Sequence, residues 1–182
     1  MTDVASSLFA WQSFYVIVGS SGGALIGIQF VVITLVAALR HAPTDDEVGA
    51  YASPTVVHFA LALIVSAVMS APWASLVPPS LVLAALGSGG LVYVAAVIRR
   101  ARRQTGYAPV WQDWVWYTSL PSCAYAAIAL AAPVLPTRTQ LALSVIGTAA
   151  LALLVIGVHN AWDSVKHIVL VVRRPDDTKR AE

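Results

Sequence analysis

The fold class of this chain follows from residues 141–158, LALSVIGTAALALLVIGV, which carry no charged side chain. An α-helix rises about 1.5 Å per residue, so about 20 apolar residues cross the roughly 30 Å of hydrocarbon in a bilayer. Similar blocks recur along the chain, which is 58% hydrophobic and 11% charged, against about 25% charged residues in a typical soluble domain. The sequence therefore predicts an all-α, polytopic membrane helix bundle.

We predict five transmembrane helices in a single domain over residues 1–175, at about 11–39, 54–76, 80–98, 115–135 and 141–158. Pro78 and Pro79 are expected to end one helix and begin the next, because a first helical turn does not use its N–H groups. Beyond the last span, an amphipathic helical extension is expected to reach about residue 172. Residues 176–182 are expected to form a disordered tail.

The basic residues predict the orientation of these spans. With five spans, one side of the membrane receives only Arg138 of the 11 Lys and Arg residues. Cytoplasmic loops collect Lys and Arg, so the N-terminus is expected outside and the C-terminus in the cytoplasm, across a cell inner membrane. The cytoplasmic side then carries Arg40, Arg99, Arg100, Arg102, Arg103, Lys166, Arg173, Arg174, Lys179 and Arg180.

The arginine run that follows the third span, Arg99, Arg100, Arg102 and Arg103, is expected to contact anionic lipid headgroups. The net charge is only +2, and no nucleic-acid partner is predicted. Phosphate-loop, dinucleotide-binding, zinc-protease and serine-hydrolase motifs are absent from the sequence. Its single cysteine, Cys123, excludes an internal disulfide.

Three glycines in the first span, Gly19, Gly23 and Gly27, recur at every fourth residue. This spacing lays a smooth ridge along one helix face, where another helix backbone can approach closely. A second interpretation is an unwound segment that lines a substrate or ion path. We favour the packing ridge, and with it a homo-oligomer or a membrane-protein partner.

Polar residues gather in the cytoplasmic third of three spans. Gln29 lies about ten residues before the end of the first span, His58 about four residues into the second, and His159 and Asn160 at the end of the fifth. If these three helices are neighbours, their side chains form a polar cluster open toward the cytoplasm. Asp163 and Asp113 are its further candidates.

This cluster has three interpretations. Gln29, His58 and Asn160 would lock the bundle through hydrogen bonds, because unsatisfied polar groups are costly in lipid. Alternatively, His58 would relay protons or bind a ligand beside Asp163. In the third interpretation, His58 and His159 would be paired ligands of a haem or metal. We favour the first and predict no cofactor.

Two stretches, FYVIVGSSGGALIGIQFVVITL (Phe14–Leu35) and IGVHNAWDSV (Ile156–Val165), resemble the ends of small actinobacterial multi-pass membrane proteins. The first helix of that family has a Gly/Ala-rich run followed by a G-[LI]-x-F-V pattern. Gln29 interrupts the apolar part of this pattern. The resemblance covers the first and last spans and implies a bacterial inner-membrane protein, without implying an activity.

These features predict a non-catalytic membrane scaffold or accessory subunit. The alternative is a small homo-oligomeric channel or transporter with a polar site around His58. A haem or metal subunit is a lesser alternative. An enzyme is disfavoured, because only His58, His159, Asp113 and Asp163 are available as acid, base or nucleophile.

Overall fold

The computed structural model describes residues 2–39, 45–101 and 111–172. Three long helices come first: α1 (Thr2–Leu39), α2 (Asp45–Ser70) and α3 (Val77–Ala101). A short helix α4 (Trp111–Trp114) continues through a π-helical turn (Val115–Ser119) into α5 (Leu120–Ala131) and a 3-10 turn (Ala132–Val134). The last helix, α6, runs from Thr139 to Val172.

The predicted all-α fold with membrane-spanning helices is confirmed in its coarse form. Within the described ranges no strand occurs. Four helical segments are long and apolar enough to cross a bilayer: Ser6–Leu35, Val77–Arg100, Val115–Val134 and Thr139–Lys166. The apolar part of α2, Pro54–Ser70, is shorter.

The turn between α2 and α3 lies earlier in the chain than the sequence analysis placed it. Helix α2 ends at Ser70 rather than at Leu76, because Pro72 can neither donate a backbone hydrogen bond nor fit against the preceding turn. The indole N–H of Trp73 donates to the Val68 carbonyl at 2.6 Å, which satisfies one of the free carbonyls at the helix end. Pro78 and Pro79 then lie in the first turn of α3.

The fourth predicted span, 115–135, is helical but irregular. The Leu120 backbone N–H donates to the Val115 carbonyl, which is the i→i−5 pattern of a π-turn. Pro121 follows immediately and has no N–H, so the regular α-helical ladder is interrupted at this point. The Thr118 hydroxyl donates to the Trp114 carbonyl and satisfies a further backbone acceptor.

Successive long helices run antiparallel, and α6 lies at the centre of the bundle. Of its span, 56% is buried, against 22% for α1 and for α3. Helices α1, α2 and α6 are mutual neighbours, while α5 packs between α3 and α6. We call the end that carries Arg99, Arg100 and Lys166 the basic end of the bundle.

Glycines allow the closest helix contacts. Gly22 faces the Phe59 carbonyl of α2, Gly87 faces the backbone of Ala129 on α5, and Gly157 on α6 faces the ring of Phe59. The predicted ridge on α1 is used only in part within the chain. Gly19 packs against Ser66, whereas Gly23 and Gly27 have no described atom within 4 Å of the position that a Cβ would take.

Candidate functional site

A buried hydrogen bond between α2 and α5 lies at the centre of the polar residues. The Tyr125 hydroxyl and His58 Nδ1 are 2.6 Å apart, and both side chains are almost fully buried. Tyr125 can occupy this position because Gly90 of α3 leaves room for its ring. The sequence analysis predicted His58 as a site residue but did not predict Tyr125.

Three buried side chains, one of which is His58 itself, carry polar atoms that have no hydrogen-bond partner among the described residues. These atoms are Thr55 Oγ1, His58 Nε2, and both Nδ2 and Oδ1 of Asn160. Thr55 and Asn160 are 0% exposed and His58 is 1% exposed. Almost all buried polar groups in folded proteins are paired, so four such atoms distinguish this part of the interior.

The packing of α2 against α6 brings these side chains to similar depths. Phe59 on α2 contacts Gly157 on α6. Asn160 lies about one turn from Gly157 toward the basic end, and Thr55 lies about one turn from Phe59 in the same direction, because the two helices are antiparallel. Thr55 and Asn160 therefore lie at about the same level of the bundle, with His58 about one turn from Thr55 along α2.

Gln29 approaches the same level from α1. It is 7% exposed and lies two helical turns after Gly22, which itself packs on Phe59 of α2. Three neighbouring helices thus bring Gln29, His58 and Asn160 within about two helical turns of one another along the bundle.

His159 points away from its neighbour Asn160. Its imidazole stacks on the indole of Trp116, with ring centroids 3.7 Å apart and an interplanar angle of 5°, while its Nδ1 is buried without a described partner. The π-helical turn carries Trp116, and such turns are frequent at functional sites. This stacked pair was not predicted from the sequence.

Of the predicted carboxylates, Asp163 does not join the buried groups. Asp163 forms an ion pair with Lys166 at 3.0 Å on the half-exposed surface of α6. The Asp113 side chain lies outside the described residues, as do Arg102 and Arg103, whereas Arg99 and Arg100 are exposed at the end of α3.

The described residues contain no group of three or more His, Cys, Asp or Glu side chains that could hold a metal ion. A haem or metal held by His58 and His159 stays a prediction. The arrangement provides a hydrogen-bonded pair, Tyr125 and His58, which can share a proton between the hydroxyl oxygen and Nδ1. The same part of the interior holds the Asn160 amide and the Thr55 hydroxyl.

Comparison with known proteins gives no analogue for this site. No protein-family model, curated protein or solved structure matches the chain.

Proposed function

We propose that the chain crosses a bacterial inner membrane five times, with its N-terminus outside and its C-terminus in the cytoplasm. The alternating helix directions put Arg99, Arg100 and Lys166 at one end and Arg138 at the other, and Lys and Arg collect on the cytoplasmic side. Arg99 and Arg100 are exposed where α3 ends and are suited to anionic lipid headgroups.

Helix α2 is the fifth span in this proposal, although its apolar segment is short. It packs against α1 and α6, both of which have spans of full length. Phe59, Ala62, Val65 and Met69 of α2 are buried by these neighbours. A helix enclosed by other spans needs less apolar surface than one that faces lipid on most sides.

Cysteine accessibility tests this orientation. In a Cys123→Ser background, we expect Arg99→Cys to react with a membrane-impermeant maleimide only after inside-out vesicles are prepared. We expect Arg138→Cys to react in intact cells. Native Cys123 lies in the apolar groove between α5 and α6 and is expected to react only after denaturation, because the hydrocarbon of the bilayer excludes a membrane-impermeant reagent. Labelling of both engineered cysteines from one side would contradict the five-span topology.

Within this membrane we propose that the protein is a non-catalytic scaffold or accessory subunit that binds a second copy of itself through α1. The observation that supports this role is the outer face of α1, where Ser20, Gly23, Ala24 and Gly27 are all exposed. Glycine in a helix interior costs about 1 kcal/mol relative to alanine. Gly23 and Gly27 gain no compensating contact from the residues that the structure describes, whereas a second helix packed on this face would supply one.

The substitution Gly23→Leu is expected to weaken self-association by roughly tenfold, equivalent to about 1–2 kcal/mol of lost interhelical packing. The measurement is energy transfer between donor- and acceptor-labelled copies in liposomes, followed as the protein-to-lipid ratio is lowered.

Gly89→Leu is the matched control, because Gly89 of α3 is also exposed and has no described atom within 4 Å of its Cβ position. It is expected to leave self-association unchanged. Equal energy transfer in the two variants would contradict the α1 interface, and a native chain that shows none at any ratio would contradict self-association itself.

A further inference from the structure

The buried polar atoms of Thr55, His58 and Asn160, which we call the polar site, carry an inference beyond assembly. On α2, Thr55 lies between His58 and Phe59 in angle when the helix is viewed along its axis, since successive residues turn by about 100°. His58 faces α5 through Tyr125, and Phe59 faces α6 through Gly157. Thr55 therefore faces the junction of α2, α5 and α6.

Asn160 faces the same junction from the other side. On α6, Gly157 faces α2, whereas Ile156 lines the groove that α6 forms with α5. Asn160 lies between these two positions in angle and about one turn further along. Ser164 donates to the Asn160 main-chain carbonyl at 2.9 Å, so the hydroxyl nearest in sequence does not satisfy the side-chain amide.

Leaving these atoms without partners would be costly. A buried donor or acceptor that lacks a partner destabilises the fold, and the penalty is larger where no water is near. Four such atoms belong to three side chains that their helical positions place at one junction. This convergence indicates a bound molecule that completes their hydrogen bonds.

The side chains define the chemistry of that molecule. The Asn160 amide donates through Nδ2 and accepts through Oδ1, the Thr55 hydroxyl does both, and His58 Nε2 does one or the other according to its tautomer. Asp163, the next carboxylate on α6, is half-exposed and already paired with Lys166. An ion would therefore lack a counter-charge at this site, whereas a neutral molecule needs none.

We infer that the polar site binds a small neutral molecule that both donates and accepts hydrogen bonds. Water is the smallest member of this class, and a primary alcohol or amide is the next. The site lies between α2, α5 and α6, so it is independent of the outer face of α1.

Two deletions of a buried hydroxyl on α2 test the inference. Thr55→Val removes a hydroxyl at the polar site. Ser66→Ala removes a hydroxyl that is also buried without a described partner, but Ser66 faces Gly19 of α1 and is not part of the polar site. With a bound molecule, Thr55→Val is expected to lower the apparent melting temperature of the detergent-solubilised chain by several degrees. Ser66→Ala is expected to leave it unchanged or to raise it. Asn160→Leu should behave as Thr55→Val does, with a larger decrease.

Native protein in liposomes supplies the second measurement and identifies the molecule. Solid-state NMR would follow magnetisation transfer from water to the labelled His58 ring and Asn160 amide. Rapid transfer would identify bound water. Absence of transfer, together with a stoichiometric small molecule in a solvent extract analysed by mass spectrometry, would identify an organic ligand of the same class. The inference is overturned if neither is found, or if Thr55→Val stabilises the chain as much as Ser66→Ala does.

Discussion

The substitution Gly87→Ala is expected to lower the free energy of unfolding by about 1–3 kcal/mol, the usual cost of forcing a methyl group into a packed contact. A Cβ on Gly87 would lie 2.6 Å from the backbone nitrogen of Ala129 and 2.9 Å from its Cα. Backbone atoms cannot move aside as a flexible side chain can. Helices α3 and α5 would have to separate, and the contact of Gly90 with Tyr125 would loosen with them. Titration with SDS in mixed micelles measures the change.

Gly89→Ala is the control for that substitution, made two positions further along α3. Gly89 has no described atom within 4 Å of its Cβ position, and alanine is favoured over glycine in a helix by up to about 1 kcal/mol. We expect the free energy of unfolding to stay constant or to rise slightly. A similar loss for both variants would mean that α3 and α5 do not meet at Gly87.

The spans were the part of the fold that could be predicted from the sequence, because they depend on the length of apolar blocks. Their ends were predicted less well, since they depend on local chemistry. Pro78 and Pro79 fit the first turn of α3, but Pro72 had already ended α2. The π-turn before Pro121 does not change the average hydropathy of the span that contains it. Hydropathy and length alone therefore predict a regular helix there.

Helix contacts could not be predicted from glycine spacing alone. The pattern of Gly19, Gly23 and Gly27 indicates one smooth face, yet in the described part of the chain only Gly19 of these three contacts α2, together with Gly22. Because a helix turns by about 100° per residue, Gly19 shares a helix face with Gly22, three residues on, and also with Gly23, four residues on. Only the position of the neighbouring helix distinguishes these pairs.

For the candidate site, counting residues from the predicted membrane boundary was the basis for placing Gln29, His58 and Asn160 in the same third of their spans, because a helix has a fixed rise. It could not predict in which direction each side chain points. His159 and Asn160 are adjacent in sequence, yet one stacks on Trp116 while the other is buried with both amide atoms unpartnered. Tyr125 had a usable signal, since a tyrosine hydroxyl in the middle of an apolar span requires a buried partner.

That partner makes Tyr125→Phe the second substitution with a large expected effect. The change removes the hydroxyl that lies 2.6 Å from His58 Nδ1 and leaves a buried ring nitrogen without a partner. The free energy of unfolding is expected to fall by about 1–3 kcal/mol. Tyr93→Phe on α3 is the control, because Tyr93 is only half-buried and no hydrogen bond joins its hydroxyl to another described residue. It is expected to have little effect in the same SDS titration.

A double-mutant cycle separates this hydrogen bond from the packing of the ring. In a His58→Phe background, Tyr125→Phe no longer orphans an imidazole nitrogen, so it should cost less than in the native chain. The difference is the coupling energy, expected at about 0.5–1.5 kcal/mol, since side-chain hydrogen bonds in membrane proteins average about 0.6 kcal/mol. A coupling energy near zero would mean that α2 and α5 are held by ring packing alone. A clear coupling would establish the Tyr125–His58 hydrogen bond as a contact that fixes the position of the His58 ring.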